Sequence, residues 1–197
     1  MLIISLAFSL FLLMNPVGNV PLFLGQLKGF SPKRQRTIIL RELLIALIIM
    51  LLFMFFGRPL LKILNIDHYA LYFSGGITLF IIAIKMIFPA EKETTSPKQL
   101  SEPLIVPLAV PLVAGPAILA SVILYSGQVP SLIYLISAIF IAWFLSCLIL
   151  LSSSQLSKIL GNRGLIACER LMGLILTLTA VQMFLNGINL FFKQPPQ

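Results

Sequence analysis

The chain has 197 residues, is 59% hydrophobic and only 10% charged, and its mean hydropathy is +1.05. Soluble domains carry about 25% charged residues, so composition excludes an ordinary soluble domain and points to a polytopic membrane protein. The net charge of +8 does not signal nucleic acid binding. The basic residues fall between apolar runs and read as topology signals that hold short loops on the cytoplasmic side.

Segment one is expected over 2–27. Met1 to Met14 is apolar but lacks a basic n-region, and Asn15-Pro16 follows where a cleavage site would stand. It therefore reads as a retained membrane segment. Its middle is broken by Asn15, Pro16, Gly18, Asn19 and Pro21. Segments two and three are expected over 37–56 and 69–88. A polar stretch over 89–102 reads as an exposed linker. Segment four is expected over 103–125, broken around Gly115-Pro116, with segments five and six over 131–152 and 169–192. The expected fold is an all-α membrane protein of six transmembrane helices, in two three-helix repeats over 1–88 and 103–197.

Orientation follows from the basic residues. Lys28, Lys33, Arg34, Arg36 and Arg41 flank the first loop, Lys92 and Lys98 lie in the linker, and Lys158, Arg163 and Arg170 flank the fifth. These share one side, while Arg58, Lys62 and Lys193 lie on the other. The excess predicts both termini on the periplasmic side of a bacterial inner membrane.

The halves resemble each other. Ala83-Ile84-Lys85-Met86-Ile87 lines up with Ala180-Val181-Gln182-Met183-Phe184, and the same register pairs Gly76 with Gly173. Leu61-Lys62-Ile63-Leu64 lines up with Ser157-Lys158-Ile159-Leu160, and the breaks pair Asn15-Pro16 with Gly115-Pro116. Matches in the same order signal a repeat. Three spans per half make the second half run in the opposite direction, an inverted repeat with a pseudo-twofold axis in the membrane plane.

Lipid cannot hydrogen-bond a broken backbone, so such breaks persist where protein or a water-filled cavity satisfies the freed groups. Pro16 suits the first position of a new helix, with Asn15 as its cap. That start leaves the Val17 and Gly18 N–H groups without internal partners and adds a partial positive charge. Gly115-Pro116 would open a second half-helix, with N–H groups near Ala117 and Ile118. Two such starts brought together near mid-membrane suit an anionic group such as a carboxylate. The plain alternative is that Pro and Gly only bend these helices. Five breaking residues within seven positions, mirrored in the second half, favour a functional break. The expected solute-binding set is Asn15, Pro16, Val17, Gly18, Asn19, Pro21, Ala114, Gly115, Pro116 and Ala117.

Glu42, Lys85, Gln182 and Asn186 are candidates for coupling or cavity lining. For Glu42 the plain reading is an interfacial pair with Arg41, and for Lys85 snorkelling to the interface. Gln182, Asn186 and Asn189 share one helix stripe, which suits a cavity wall or interhelical hydrogen bonds equally. Glu169 reads as a carboxylate in the first turn of segment six. Ser74, Gly75, Gly76 and Gly173 read as close helix packing. Cys147 and Cys168 form no paired motif, and His68 has no companion ligands, so no metal site, redox chemistry or cofactor is expected. The sequence has no nucleotide-binding loop motif.

The motif Asn-Pro-x-Gly-Asn-x-Pro at 15–21, Ser31-Pro32-Lys33-Arg34, Ser74-Gly75-Gly76, and the run from Pro107 to Gly115-Pro116 resemble the MarC family (UPF0056 type) of bacterial inner-membrane proteins. Glu169-Arg170-Leu171-Met172-Gly173 fits its YhgN-like branch. The resemblance covers essentially the whole chain, and Ala117 departs slightly from the small residue or Gly often found after Gly-Pro. It implies a six-span secondary transporter grouped with the LysE-type exporters. Where members have an assigned activity, it is transport of small neutral amino acids.

The function expected is therefore secondary transport of small neutral or zwitterionic solutes at the broken helices. The partners expected are membrane lipid, a small-molecule solute and a coupling ion whose identity the sequence leaves open, as it does the oligomeric state. The first alternative is a non-transporting assembly or partner-binding protein. A membrane enzyme fits less well, because such an enzyme needs clustered His, Asp, Glu, Ser or Cys at one depth.

Overall fold

The computed structural model describes residues 1–27, 29–88 and 113–193. The expected linker and the first half of segment four lie outside these residues. The described chain is all-helical: α1 (Leu2–Met14), α2 (Pro16–Gln26), α3 (Pro32–Ile63), α4 (His68–Ile87), α5 (Pro116–Ser126), α6 (Leu132–Leu151) and α7 (Ser153–Lys193). Five stretches are long and apolar enough to cross a membrane, with α1 and α2 counting together as Leu2–Gly25. Phe8, Phe56, Phe144 and Leu178 are among many large apolar side chains left exposed, a surface that suits lipid and not water.

The break in segment one is narrower than its composition suggests. It is one residue wide: Asn15 adopts the left-handed conformation, φ 48° and ψ 49°, and α2 begins at Pro16. Gly18, Asn19 and Pro21 all lie inside α2. Asn tolerates this backbone region better than most residues. The freed groups are then accounted for locally. The Asn15 N–H donates to the Phe11 and Leu12 carbonyls, both at 3.1 Å. Asn19 Nδ2 donates to the Met14 carbonyl at 3.0 Å. A side chain of the second half-helix thus satisfies the end of the first.

Other boundaries shift for local reasons. Segment two extends to Pro32–Ile63, because Pro32 occupies the first helical turn and Ser31 Oγ accepts from the Arg34 N–H at 3.4 Å. The helix holding segment six begins well before Glu169, and its membrane-crossing part is Arg163–Lys193. The preceding turn is set off by Gly161 at φ 63° and ψ 178°, a conformation only glycine adopts cheaply.

The helices pack through small residues, as expected where lipid removes the hydrophobic drive between them. The most extensive contact joins α4 and α7. A side chain at Gly76 would meet the Ala180 carbonyl and Met183 Cβ, and one at Gly173 would meet the Ala83 carbonyl and Met86 Cβ. Numbers rise on one helix as they fall on the other, so the pair is antiparallel. α2 packs on α7 and α5 on α4, while α1 packs on α6. Trp143, set too deep for an interfacial anchor, donates from Nε1 to the Leu43 carbonyl at 2.7 Å and ties α6 to α3.

Gly173→Val is expected to force these helices apart at the cost of overpacking, about 1–3 kcal/mol, read as a lower Tm in detergent. Gly25→Ala is its control, because a methyl there meets nothing within 4 Å. Removing a helix-interior glycine should leave Tm unchanged or raise it.

Candidate functional site

Both breaks open on one cavity. A chamber of about 490 Å³ is lined by Asn15, Gly18 and Asn19 from one break and by Gly115, Pro116 and Ala117 from the other. α4 contributes Thr78, Lys85 and Met86, and α7 contributes Glu169 and Leu176. At about 1.5 Å per residue an 11-residue half-helix rises about 16 Å, half of a hydrocarbon core about 30 Å thick. α2 and α5, each of 11 residues, are therefore each about half a span long.

Neither half-helix start is capped by a side chain. Asn15 occupies the cap position of α2, yet its amide is turned away from that role. Its Nδ2 donates to Met86 Sδ at 3.2 Å, and its buried Oδ1 has no hydrogen-bond partner among the described residues. Asn15 is thus the residue before the helix but not the side-chain cap expected of it. The uncapped N–H groups and helix dipole of each start create a positive electrostatic end. Gly18 is required here by close approach. A Cβ would overlap Met86 Cε and lie 2.6 Å from both terminal atoms of Asn15.

Not every expected residue reaches this wall. Pro16 and Ala114 are buried away from it, and Val17 and Pro21 are half-buried on other faces of the chain. The reason is helical geometry: once α2 begins at Pro16, only positions 18, 19 and 22 share the face turned to the cavity. Ile118 lines it with Ala117. Lys85, an exposed side chain, also lines it. Glu169 is not in a first helical turn, since its helix starts earlier. It lies one turn before Gly173, which packs on the Ala83–Ile87 level of α4, and it lines the same chamber as Lys85. The sequence signal for Glu169 was available, because a carboxylate inside a membrane segment is costly and marks function by default.

Gln182 and Asn186 line a different cavity, of about 420 Å³, and Gln182 Nε2 donates to Asn186 Oδ1 at 3.0 Å along one helix. Glu42 lines neither chamber. It forms the expected pair with Arg41, Oε1 accepting from Arg41 Nε at 3.1 Å and Nη2 at 2.9 Å, though the carboxylate itself is buried.

Apolar helices of span length around a shared internal chamber define an integral membrane protein, its cavity walled mostly by apolar side chains with a few polar ones among them. Residues 1–192 match the model of the MarC family integral membrane proteins, and the chain belongs to that family. It is 50% identical to the UPF0056 inner membrane protein YhgN of Escherichia coli (strain K12), over 97% of this chain and 98% of that protein. It is 48% identical to the UPF0056 membrane protein BU449 of Buchnera aphidicola, again over 97% and 98% of the two chains. A UPF0056 membrane protein of Chlamydia pneumoniae is 37% identical over 98% of this chain and 96% of its own. No solved structure matches the chain.

Proposed function

We propose that the protein is a secondary transporter of small neutral or zwitterionic solutes, amino acids foremost, and that the chamber at the two breaks is its solute site. One observation carries this reading: two uncapped half-helix starts, 100 residues apart in sequence, line one cavity together with Lys85 and Glu169. The helix starts and Lys85 suit a carboxylate. Glu169 suits an ammonium group. The volume of about 490 Å³ lies in the usual range of small-molecule pockets, about 300–1,000 Å³.

Packing supports an inverted repeat as the frame of this site. Gly76 meets Ala180 and Met183, while Gly173 meets Ala83 and Met86. In each case the partners are 97 positions apart in sequence, as the glycines are. Such reciprocal contact is what a twofold axis between α4 and α7 produces. The contacts of α2 with α7 and of α5 with α4 exchange in the same way. Segment four would complete six spans. The Lys and Arg excess places the Lys85–Glu169 end of the chamber on the cytoplasmic side and the termini on the other.

Flux into proteoliposomes of radiolabelled small amino acids tests the function. Saturable uptake or efflux of at least one is expected. Folded, monodisperse protein that moves none of a full panel would overturn it.

A further inference from the structure

The second cavity repeats the first in residue positions but not in charge. On α4 and α7, Glu169, Ile82, Lys85 and Met86 line the chamber at the breaks. Their counterparts 97 positions away are Tyr72, Thr179, Gln182 and Met183, and all four line the second chamber. Met86 Cε packs at Gly18 and Met183 Cε at Gly75. Where the first chamber has a carboxylate and an ammonium, the second has a phenol and an amide.

Leu13 lines both chambers. It is buried in the last turn of α1, two residues before the break. On α5, one turn separates them: Ala117 faces the first chamber and Ser121 the second, and Ser121 Oγ donates to the Ala117 carbonyl at 3.0 Å. The second chamber continues outward into a space of about 730 Å³ that shares Tyr72, Leu124, Gln128 and Asn186 with it. That mouth carries Arg58, His68 and Lys193, on the side opposite Lys85 in the charge pattern.

We propose that the second chamber is a solute station for the same class of small zwitterion, reached from the opposite membrane face and separated from the first by the Leu13 side chain. This rests on the transport reading above. Hydroxyls and amides still hydrogen-bond the solute's ends, but without ionic partners. A hydrogen bond to a charged group is roughly twice as strong as one between neutral groups. The second station therefore holds the solute more weakly, and the protein has a tight side and a loose side.

Sided cysteine labelling tests this. In a background with Cys147→Ala and Cys168→Ala, Ile82→Cys reports the first chamber and Thr179→Cys the second, with Thr78→Cys and Ser9→Cys as a second pair should either fail to fold. A charged, membrane-impermeant thiosulfonate is added to one face of sealed proteoliposomes, with and without a solute of proven flux, L-alanine being the first tried. The expected result is labelling of the two reporters from opposite faces. Solute should slow each about tenfold once it exceeds that station's Kd about tenfold, with Thr179→Cys needing more solute. Leu13→Ala should let Thr179→Cys be labelled from both faces. Protection at Ile82→Cys alone, or labelling of both from one face, overturns the second station and leaves the transport reading standing. Loss of flux and of protection at both positions overturns both.

Discussion

Gly18→Leu is expected to abolish solute flux while the protein still inserts and purifies. Gly18 sits on the cavity wall in the first turn of α2. Even one added carbon overlaps Met86 Cε and stands 2.6 Å from the Asn15 amide, closer than carbon atoms approach without something moving. A leucine would take the space the solute needs and cover the N–H groups at the helix start. Filling a packed site costs about 1–3 kcal/mol, so a modest drop in Tm should accompany a complete loss of uptake. Gly18→Ala should retain part of the flux. Adding Met86→Ala should raise it again, because that change removes the overlapping methyl. A Gly18→Leu protein that transports like the native one would remove this face from the solute path.

Glu169→Gln and Lys85→Gln are expected to raise KM sharply with little change in Tm. A hydrogen bond to a charged group contributes about 1.5–3 kcal/mol, which corresponds to roughly tenfold to a hundredfold in affinity. The two changes should differ in what they fail to recognise. With Glu169→Gln, the amino group of alanine ceases to help, so alanine competes no better than propionate. With Lys85→Gln, the carboxylate keeps only the helix starts, so alanine's advantage over a small amine shrinks. Glu169→Asp should recover part of the lost affinity. Unchanged KM in both variants would return these side chains to an interfacial role. Exposed pairs contribute little in any case, about 0–1 kcal/mol, and their loss would pass unnoticed.

The membrane class, the helical content and the existence of both breaks are readable from the chain alone, for reasons local to it. A run of apolar residues of span length has few alternatives to a membrane helix. Asn15-Pro16 and Gly115-Pro116 favour a helix start at the proline, because Pro lacks an N–H and the first helical turn does not use one. The register that pairs Gly76 with Gly173 is equally a property of the string. The width of the first break was less legible. Gly18, Asn19 and Pro21 suggested an unwound stretch, but tertiary packing carries all three as helix once Asn15 takes the left-handed turn and Asn19 ties down the Met14 carbonyl.

The composition of the cavity belongs to the tertiary structure. Pro16, Val17, Pro21 and Ala114 share the breaks yet point elsewhere, because a helix turns its residues about 100° apart and only one face meets the chamber. Lys85 and Glu169 each had an ordinary local explanation, as a snorkelling cation and a first-turn carboxylate. Only the antiparallel contact of α4 with α7 brings them into one chamber. Sequence determined that this is a membrane protein with two matched interruptions. The fold decided which atoms those interruptions share, because side chains far apart in the chain become neighbours only when the helices pack.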